Sequence, residues 1–283
     1  MDEIGNPILK IDFHTHSTAS DGTLAPADLV ARAHAQEIEM LALTDHDTVT
    51  GLPSAAAAAT ALGLRFVNGI ELSTTWQNKL LHVVGLNIAP ASPPLRQGIG
   101  QLQSAREERA RRIGERLAKL GFPHAYEGAR LMAGDATPGR VHFARHLVSS
   151  GRVKSEQDAF KRLLGAGKPA CVAIPWAPLQ EAVAWVVASG GVAVLAHPLR
   201  YGYTASWLRR ICAAFTEAGG RGIEVLSGWQ NPEHTAAVIR LATQHGLYAS
   251  VGSDFHSPGQ PSSELGRLPA LKGDIETVTA LFH

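Results

Sequence analysis

Short apolar segments alternate with helix-like segments along most of this chain of 283 residues. Seven strands are predicted, at Ile8–Phe13, Met40–Thr44, Arg65–Leu72, Leu80–Leu86, Gly191–Ala196, Gly222–Leu226 and Tyr248–Gly252. Helices are predicted after most of them, at Pro26–Ile38, Pro53–Leu62, Pro178–Ser189, Ala205–Ala218 and Pro232–His245. The segment between Leu72 and Leu80 is too short for a helix and predicts a hairpin around Trp76–Asn78. The alternation indicates an α/β chain whose mostly parallel sheet closes, or nearly closes, into a barrel.

The middle of the chain departs from this alternation. It contains no predicted strand, and the segments Ile99–Lys119, Pro138–Ser149 and Glu156–Leu164 have helical patterns. Residues 99–175 carry 14 Lys and Arg against 7 Asp and Glu, whereas the remainder carries 12 against 18. We therefore predict that residues 1–98 and 176–283 form the barrel and that residues 99–175 form an inserted, mainly helical, basic domain.

Composition excludes several classes of protein. With 45% hydrophobic and 18% charged residues, the chain is not collagen-like, coiled-coil or intrinsically disordered. Cys171 and Cys212 lack a CxxC spacing, so neither a disulfide framework nor a zinc finger is expected. The apolar stretch Ala182–Ala196 is interrupted by glycines and is shorter than the roughly 20 residues of a spanning helix. Without a signal peptide, a cytoplasmic protein with no membrane contact and no obligate protein partner is the expectation.

Residue types that bind metal ions follow successive predicted strands. His14 and His16 end the first strand, and residues two apart in an extended chain point to the same side. Further ligand-type residues at or near the ends of later strands are Asp21, His46, Glu71, His82, His197, Asp254 and His256. A single such residue usually caps or faces solvent, but their recurrence at six strand ends indicates one site, since strand ends meet at one face of a barrel. His82 starts its strand, and the hairpin brings that start beside Glu71.

Nine such side chains exceed the ligand number of one tetrahedral ion. They suit two or three closely spaced divalent ions with at least one bridging carboxylate. Imidazole and carboxylate ligands without thiolate favour Mn²⁺, Zn²⁺ or Fe²⁺ over Mg²⁺ or Ca²⁺. The residues alone do not choose among these metals.

The ordered motifs HTH, TDHD, GIEL, HVVGL, AHP and GSDFH, together with Asp21, resemble the PHP (polymerase and histidinol phosphatase) family of metal-dependent phosphoesterases. The resemblance extends from residue 14 to residue 256 and implies a distorted seven-stranded barrel with a trinuclear site. By that resemblance His14, His16, Glu71 and Asp254 bind the first metal, and Glu71, His82 and His197 bind the second. Asp21, His46 and His256 bind the third. Some relatives have His in place of Asp21, and the carboxylate here makes Mn²⁺ more plausible than Zn²⁺.

The chemistry expected of this site is hydrolysis of a phosphate ester. Clustered cations polarise a phosphoryl oxygen and activate water, so a metal-bridging hydroxide is the expected nucleophile, and no GxSxG or P-loop motif suggests another. Catalytic roles are expected for Asp21, His46, Glu71, His197 and Asp254. Asp45 and Asp47 either orient ligands or cap a helix. Glu224 either belongs to the site or is hydrogen-bonded beside it.

Substrate-binding residues are predicted mainly in the basic insert. Arg140 follows Thr137-Pro138-Gly139, a helix start whose N–H groups suit a phosphate, and Arg145 lies on its next turns. Arg200 follows His197 and belongs to the metal face. The alternative for the helix residues is a solvated basic surface, which is also expected for Arg106, Arg109 and Arg116. Tyr201 and Tyr203 either stack on a base or pack in the core.

Within the PHP family, this chain, with its insert between the HVVGL and AHP motifs, resembles a bacterial subgroup. Members of that subgroup remove the 3′-phosphate from adenosine 3′,5′-bisphosphate to give AMP. Related members trim short RNA from its 5′ end, so a 5′–3′ exoribonuclease is the first alternative. A histidinol-phosphate-type monoester phosphatase is the second, and substrate screening separates them. A non-catalytic PHP module or a metal-binding regulator is disfavoured by the intact ligand set. The expected partner is thus a nucleotide.

Overall fold

The computed structural model describes residues 10–271 and 275–282. Two compact units are present, one formed by Met1–Gly98 with Ala177–His283 and the other by Ile99–Trp176. The predicted strand Ile8–Phe13 begins outside the described residues, and its described part forms the strand Ile11–Asp12. No helix among the described residues is long and apolar enough to cross a membrane.

A sheet of eight strands organises the first unit. The strands are β1 (Ile11–Asp12), β2 (Met40–Leu43), β3 (Arg65–Trp76), β4 (Lys79–Leu86), β5 (Ala177–Pro178), β6 (Val192–Leu195), β7 (Gly222–Ser227) and β8 (Tyr248–Gly252). Their order is β1-β2-β3-β4-β6-β7-β8, and β5 pairs with β3. Pairing is parallel except where β4 meets β3 and β6. The sequence pattern missed β5, because two residues are too few to give a periodicity.

The two ends of the sheet meet beyond β1 and β8. Phe13 donates its N–H to the carbonyl of Val251 at 3.0 Å, and Asp254 donates to that of His14 at 2.8 Å. An isolated parallel bridge between Thr15 and Phe255 continues the contact. The seven strands of the main path therefore form a nearly closed barrel, which confirms the predicted α/β barrel.

The predicted hairpin between the third and fourth strands is also confirmed. Trp76 pairs with Lys79 across a two-residue turn in which Gln77 and Asn78 have φ of 47° and 60°. Positive φ at both central residues is the requirement of a tight hairpin turn that matches strand twist. Here β3 extends to Trp76, four residues beyond its predicted end.

The helices of the first unit cover the outside of the barrel. They are α1 (Pro26–Ala35), α2 (Leu52–Leu62), α7 (Leu179–Ala188), α8 (Ala205–Glu217) and α9 (Pro232–His245). A proline stands in the first turn of α1, α2 and α9, where a missing N–H costs nothing. Because helices cover the sheet, β2 and β6 are buried along their whole length, which explains their continuous apolar runs.

The second unit, whose residues are all described, contains helices and no strand. They are α3 (Pro93–Lys119, whose first residues belong to the first unit), α4 (Ala125–Ala133), α5 (Arg140–Ser149) and α6 (Glu156–Ala159), which a π-helical turn at Phe160–Leu164 continues. A separate apolar core around Phe143, Leu147 and Leu164 holds them together. The helix predicted from Ile99 starts six residues earlier, at Pro93.

Candidate metal centre

The ligand-type residues converge at the carboxyl-terminal edge of the barrel strands. His14 and His16 flank Thr15, whose hydroxyl donates to the carbonyl of Ala42 at 2.7 Å. Alternation along the extended chain therefore turns both imidazoles to the other side, into the site. A parallel bridge between His46 and Glu71 continues this edge beyond β2.

Backbone conformation helps to direct several of these side chains. Asp47, His197 and Asp254 have positive φ values of 53°, 29° and 56°. Such values are uncommon for residues with a side chain and are concentrated at functional sites, where the surrounding structure compensates their cost. Each of them lies just past the end of a strand, where the chain must turn sharply across the barrel mouth.

Glu71 is the centre of the cluster. Its Oε2 lies 3.2 Å from His14 Nε2, 3.3 Å from His16 Nε2 and 2.8 Å from His46 Nδ1. Its Oε1 lies 2.8 Å from His82 Nδ1 and 2.9 Å from His197 Nε2. Because the two oxygens face different sets of rings, this carboxylate is placed to bridge two ions.

Asp254 and Asp21 extend the cluster away from Glu71. Asp254 Oδ1 lies 3.2 Å from His16 Nε2 and 3.5 Å from His14 Nε2. Asp21 Oδ1 lies 3.3 Å from His256 Nε2, and its Oδ2 lies 3.9 Å from His46 Nε2. All nine residues predicted to bind metal therefore lie in one continuous cluster.

Four groups in this cluster have ligand atoms close enough together, within 4.8 Å, to share an ion. They are His14–His16–Asp254, His14–Glu71–His197, His46–Glu71–His82 and His16–Asp21–His46–His256. The predicted second set is divided between two of these groups, because Glu71 is grouped with His14 and His197 and also with His46 and His82. His46 therefore lies near Glu71 as well as near Asp21. His16 likewise lies near both the first and the third sets.

Nε2 of His14 and the ring nitrogens of His16 are arranged to bind a metal ion rather than to form hydrogen bonds with the protein. His14 Nδ1 lies 2.5 Å from Glu224 Oε1, and an ionised carboxylate only accepts, so the proton is on Nδ1. Its Nε2, and both ring nitrogens of His16, make no hydrogen bond among the described residues. These buried nitrogens face the oxygens of Glu71 and Asp254, an arrangement that is stabilised by a shared cation, either a proton or a metal ion. The His, Glu and Asp clusters fit divalent metal ions.

Electrostatics keep two of these donors, Glu71 and His16, in the protonation state that a metal needs. Burial alone would raise the pKa of Glu71, but the imidazoles of His46, His82 and His14 hold it well below its usual value. Burial, with the nearby rings of His256 and His46, lowers the pKa of His16 to about 3. The carboxylate is therefore ionised and this imidazole is neutral, as metal coordination requires.

Glu224 lies beside the cluster and contacts two of its members. One oxygen meets His14 Nδ1, and the other accepts the N–H of His197 at 2.7 Å. The residue is 2% exposed. A carboxylate behind a ligand imidazole fixes its tautomer and raises its basicity. Of the two predicted roles, the structure supports hydrogen bonding next to the site.

Replacing Glu224 by Gln is expected to weaken metal binding about 10- to 100-fold. The neutral amide lacks the negative charge by which the carboxylate holds the proton on His14 Nδ1 and raises the basicity of the ring. A titration against a chelator of known affinity measures this, with Glu181→Gln on the exposed side of α7 as the matched control. Unchanged affinity in the Glu224 variant would contradict the orienting role.

The other acidic residues of the motifs stabilise loops. Asp45 accepts from the N–H and the hydroxyl of Ser17 and from the hydroxyl of Ser20, so it fixes the segment after β1 and caps no helix. Asp47 accepts the N–H of Ser73 at 2.7 Å. Sequence reasoning missed Asp12, whose Oδ1 accepts the N–H groups of His14 and Ser253. Its place two residues before His14 was the available signal.

Arg200 lies at the metal face. It contacts Asp254 Oδ2 and donates to the carbonyl of Ser227 at 3.1 Å, with 43% of its side chain exposed. Tyr201 beside it accepts the N–H of His82 at 2.8 Å, and the hydroxyl of Tyr203 donates to the carbonyl of Leu80. These tyrosines are therefore fixed by the strand that carries His82.

The remaining predicted substrate residues belong to the second unit. Arg140 begins α5, and its guanidinium lies 5.7 Å from the ring centre of Phe160. Arg145 lies 3.6 Å from Glu156, which offsets part of its charge.

The prediction of surface positions for Arg106 and Arg109 is wrong. Both guanidiniums lie over the ring of Trp176, at 5.3 and 5.5 Å, and both residues are half-buried. Burial, with the nearby charges of Arg140 and Arg106, lowers the pKa of Arg109 to about 9. This face of α3 packs on Trp176, which is distant from it in sequence, so the helical spacing of the arginines did not predict the contact. Arg116 is exposed, as expected.

Comparison with known proteins finds relatives over most of this chain. The PHP domain family model matches residues 12–156. The 3′,5′-nucleoside bisphosphate phosphatase of Chromobacterium violaceum is 45% identical over 263 residues, covering 93% of this chain and 92% of the relative. The 5′–3′ exoribonuclease Rnm of Escherichia coli is 42% identical over 274 residues, covering 96% and 93%.

A solved structure supports the same assignment. An amidohydrolase from Chromobacterium violaceum, with bound sulfate and no metal, matches with a TM-score of 0.91 at 42% identity, covering 96% of this chain and 95% of the other. The chain belongs to the PHP family, which confirms the resemblance of its motifs. It is a hydrolase, a metal-dependent phosphoesterase.

Proposed function

We propose that this chain removes the 3′-phosphate from nucleoside 3′,5′-bisphosphates, such as adenosine 3′,5′-bisphosphate, and leaves the 5′-monophosphate. The supporting observation is a cluster of nine His, Asp and Glu side chains at one barrel face, in a chain 45% identical to a phosphatase of that name. A cytoplasmic location and a nucleotide partner belong to the same proposal.

The site is proposed to hold two or three divalent ions, with Mn²⁺ favoured and Zn²⁺ or Fe²⁺ as alternatives. His14, His16, Asp254 and Glu71 would hold one ion. Glu71 would be shared with a second ion on His82 and His197, and Asp21, His46 and His256 would hold a third. Bound ions polarise a phosphoryl oxygen, lower the pKa of water and neutralise the leaving oxygen.

The side chains proposed to surround the reacting phosphoryl group are those of Asp21, His46, Glu71, His197 and Asp254. Glu224 fixes the positions of His14 and His197 relative to each other, because it contacts both. Arg200, half-exposed beside Asp254, provides a positive charge for a phosphate of the substrate. Tyr201 fixes the backbone that carries His82.

The phosphate that is not cleaved is proposed to bind to Arg140, with Arg145 or Arg200 in support. The arrangement of Arg109 supports an anion site in the second unit. Burial is the main cause of its lowered pKa, but the charges of Arg140 and Arg106 lie close enough to lower it further, and a bound anion would stabilise such a group of positive charges. Arg106 and Arg109, which the sequence pattern placed at the surface, join Arg140 in this group.

Replacing Arg140 by Ala is expected to lower kcat/KM for adenosine 3′,5′-bisphosphate by about one to two decades, the equivalent of about 1.5–3 kcal/mol for a charge-assisted contact. A simple monophosphate lacks the second phosphate and should be affected little. Arg162→Ala, an exposed arginine of the same unit, is the control. Equal losses on both substrates would mean that Arg140 acts at the cleaved phosphate or on folding.

The proposed function is tested by a phosphate-release screen with Mn²⁺ present. Adenosine 3′,5′-bisphosphate is expected to exceed AMP and histidinol phosphate in kcat/KM by a wide margin. A preference for histidinol phosphate would replace the proposal by the monoester alternative. No turnover of any phosphate ester by the metal-loaded chain would overturn it.

A second candidate, a 5′–3′ exoribonuclease on short RNA, is supported by relatives of that name at 42% and 43% identity. Both substrates present a 5′-phosphate and a phosphoryl group on the 3′ oxygen of the same nucleoside. Release of 5′-mononucleotides from a 5′-phosphorylated oligoribonucleotide tests this candidate in the same screen.

A further inference from the structure

The two candidate substrates differ only beyond the reacting phosphorus. In a 5′-phosphorylated oligoribonucleotide, water adds to the phosphorus, the bond to the 3′ oxygen breaks, and that oxygen takes the proton. The products are a 5′-mononucleotide and a shortened strand with a 5′-phosphate. Since the rest of the strand is attached to the phosphoryl group at the metal ligands, it must continue over the surface next to them.

A continuous row of aromatic rings and cations leaves the metal cluster on one side. It consists of Tyr201, Tyr203, Lys79, Trp207, Trp76 and Arg210, and we call it the aromatic–cation row. The row begins 5.2 Å from the ring of His197, at Tyr201, which stacks on Tyr203 at 5.4 Å. Lys79 Nζ then lies 5.3 Å from the ring centre of Tyr203 and 5.0 Å from that of Trp207.

The outer end of the row is formed by the tip of the β3–β4 hairpin and the first turns of α8. Trp76 lies 6.2 Å from Trp207, and the guanidinium of Arg210 lies 4.3 Å from the Trp207 ring centre. Since β3 continues five residues past Glu71, the hairpin carries Trp76 outward from the metal cluster. The side chain of Thr204 accepts the N–H of Trp207 and so fixes the start of α8.

The row is not a hydrophobic core. Tyr203, Trp207 and Trp76 are half-buried, and Arg210 is exposed. Among the described residues, neither Lys79 nor Arg210 has a carboxylate within salt-bridge distance. The partners of Arg210 are two rings and the amide of Gln77, at 2.7 Å. Packing alone would not require two cations without counter-charges, whereas phosphates supply those charges.

We propose that the aromatic–cation row binds the nucleotides that follow the cleaved linkage in a single-stranded oligoribonucleotide. Bases stack on the half-buried rings of Trp207 and Trp76 and on the guanidinium of Arg210, while Lys79 and Arg210 neutralise phosphates. Single-stranded nucleic acids are bound in this way, by stacking platforms that alternate with positive charge. The inference rests on the proposed phosphoesterase function and extends it from a mononucleotide to a strand.

The experiment compares substrates of different length on Trp76→Ala and Arg210→Ala. The substrates are adenosine 3′,5′-bisphosphate and 5′-phosphorylated oligoadenylates of two to five nucleotides. Arg221→Ala is the matched control. This exposed arginine lies 5.6 Å from the ring of Tyr248, at the start of β7 and so at the other end of the strands.

The expected result is a selective loss with the longer substrates. Each variant should lower kcat/KM for the tetranucleotide, relative to the bisphosphate, by about fivefold to a hundredfold. For Arg210→Ala the negative slope of log kcat/KM against the logarithm of the salt concentration should become less steep by about 0.7, with the oligonucleotide only. Arg221→Ala should change neither substrate. An equal loss on both substrates, or no loss on either, would overturn the inference.

A binding measurement separates this inference from the proposed function. In EDTA, where no turnover occurs, fluorescence anisotropy of a labelled 5′-phosphorylated tetra-adenylate reports binding alone. Weaker binding by Trp76→Ala and Arg210→Ala but not by Arg221→Ala would support strand binding by the aromatic–cation row, even if the bisphosphate proved not to be a substrate. Wild-type affinity in both variants would overturn strand binding by the aromatic–cation row, even if the bisphosphate is hydrolysed.

Discussion

Replacing Asp254 by Asn is expected to abolish phosphate release while the protein stays folded. Asp254 Oδ1 lies 3.2 Å from His16 and 3.5 Å from His14, so the amide removes one anionic ligand from the cluster. A metal contributes several kcal/mol to the stabilisation of phosphoryl transfer, which corresponds to a loss of about 10³-fold or more.

The structure indicates why this variant should fold. Asp254 has φ of 56°, and Asn is one of the few residues that adopt the left-handed region readily. His197→Ala, which removes a ring 2.9 Å from Glu71, should give a similar loss. Asp28→Asn on the exposed side of α1 is the control, and thermal melting verifies the fold. Phosphate release near the wild-type rate by a folded, metal-supplied variant would place the chemistry elsewhere.

Removing the metal from the wild-type protein is expected to eliminate turnover and to lower the melting temperature. Without cations, the carboxylates of Glu71, Asp21 and Asp254 stay buried among imidazoles that must hold protons in place of metal. An ion bound only by the folded protein stabilises it by about 2.7 kcal/mol at a hundred times its dissociation constant. EDTA dialysis followed by titration of Mn²⁺, Zn²⁺ or Mg²⁺ measures both effects, with Mn²⁺ expected to restore the most activity.

The affinity for metal is expected to rise with pH. Burial disfavours charge on His256, but the carboxylates of Asp21 and Asp254 raise its pKa to about 10 in the metal-free protein. Burial opposes charge on His14 as well, yet Glu224, Glu71 and Asp254 raise its pKa well above the usual value. Both rings thus carry a proton at neutral pH that the metal must displace, and each displaced proton strengthens apparent affinity about tenfold per pH unit.

Calorimetric titration in two buffers of different ionisation enthalpy counts the protons released. An affinity that stays constant between about pH 6 and pH 8, together with activity in thoroughly chelated protein, would contradict the metal centre.

The sequence by itself determined the barrel and which residues line its mouth. Continuous apolar runs such as Met40–Leu43 mark strands covered on both faces. Ligand-type residues stand next to six strand ends, and they converge because strand ends meet at one face of a barrel. The hairpin was equally predictable, because Trp76–Asn78 leaves no room for a crossover helix. These are local signals, in which a few consecutive residues decide the outcome.

Only the tertiary structure decided contacts between residues far apart in the chain. Glu224 reaches His14 and His197 from a different strand, and Arg106 and Arg109 pack on Trp176. Neither contact has a periodicity or a spacing that a sequence pattern could detect. Both depend on the register with which remote segments meet, and that register is set by packing of the whole core rather than by the residues concerned.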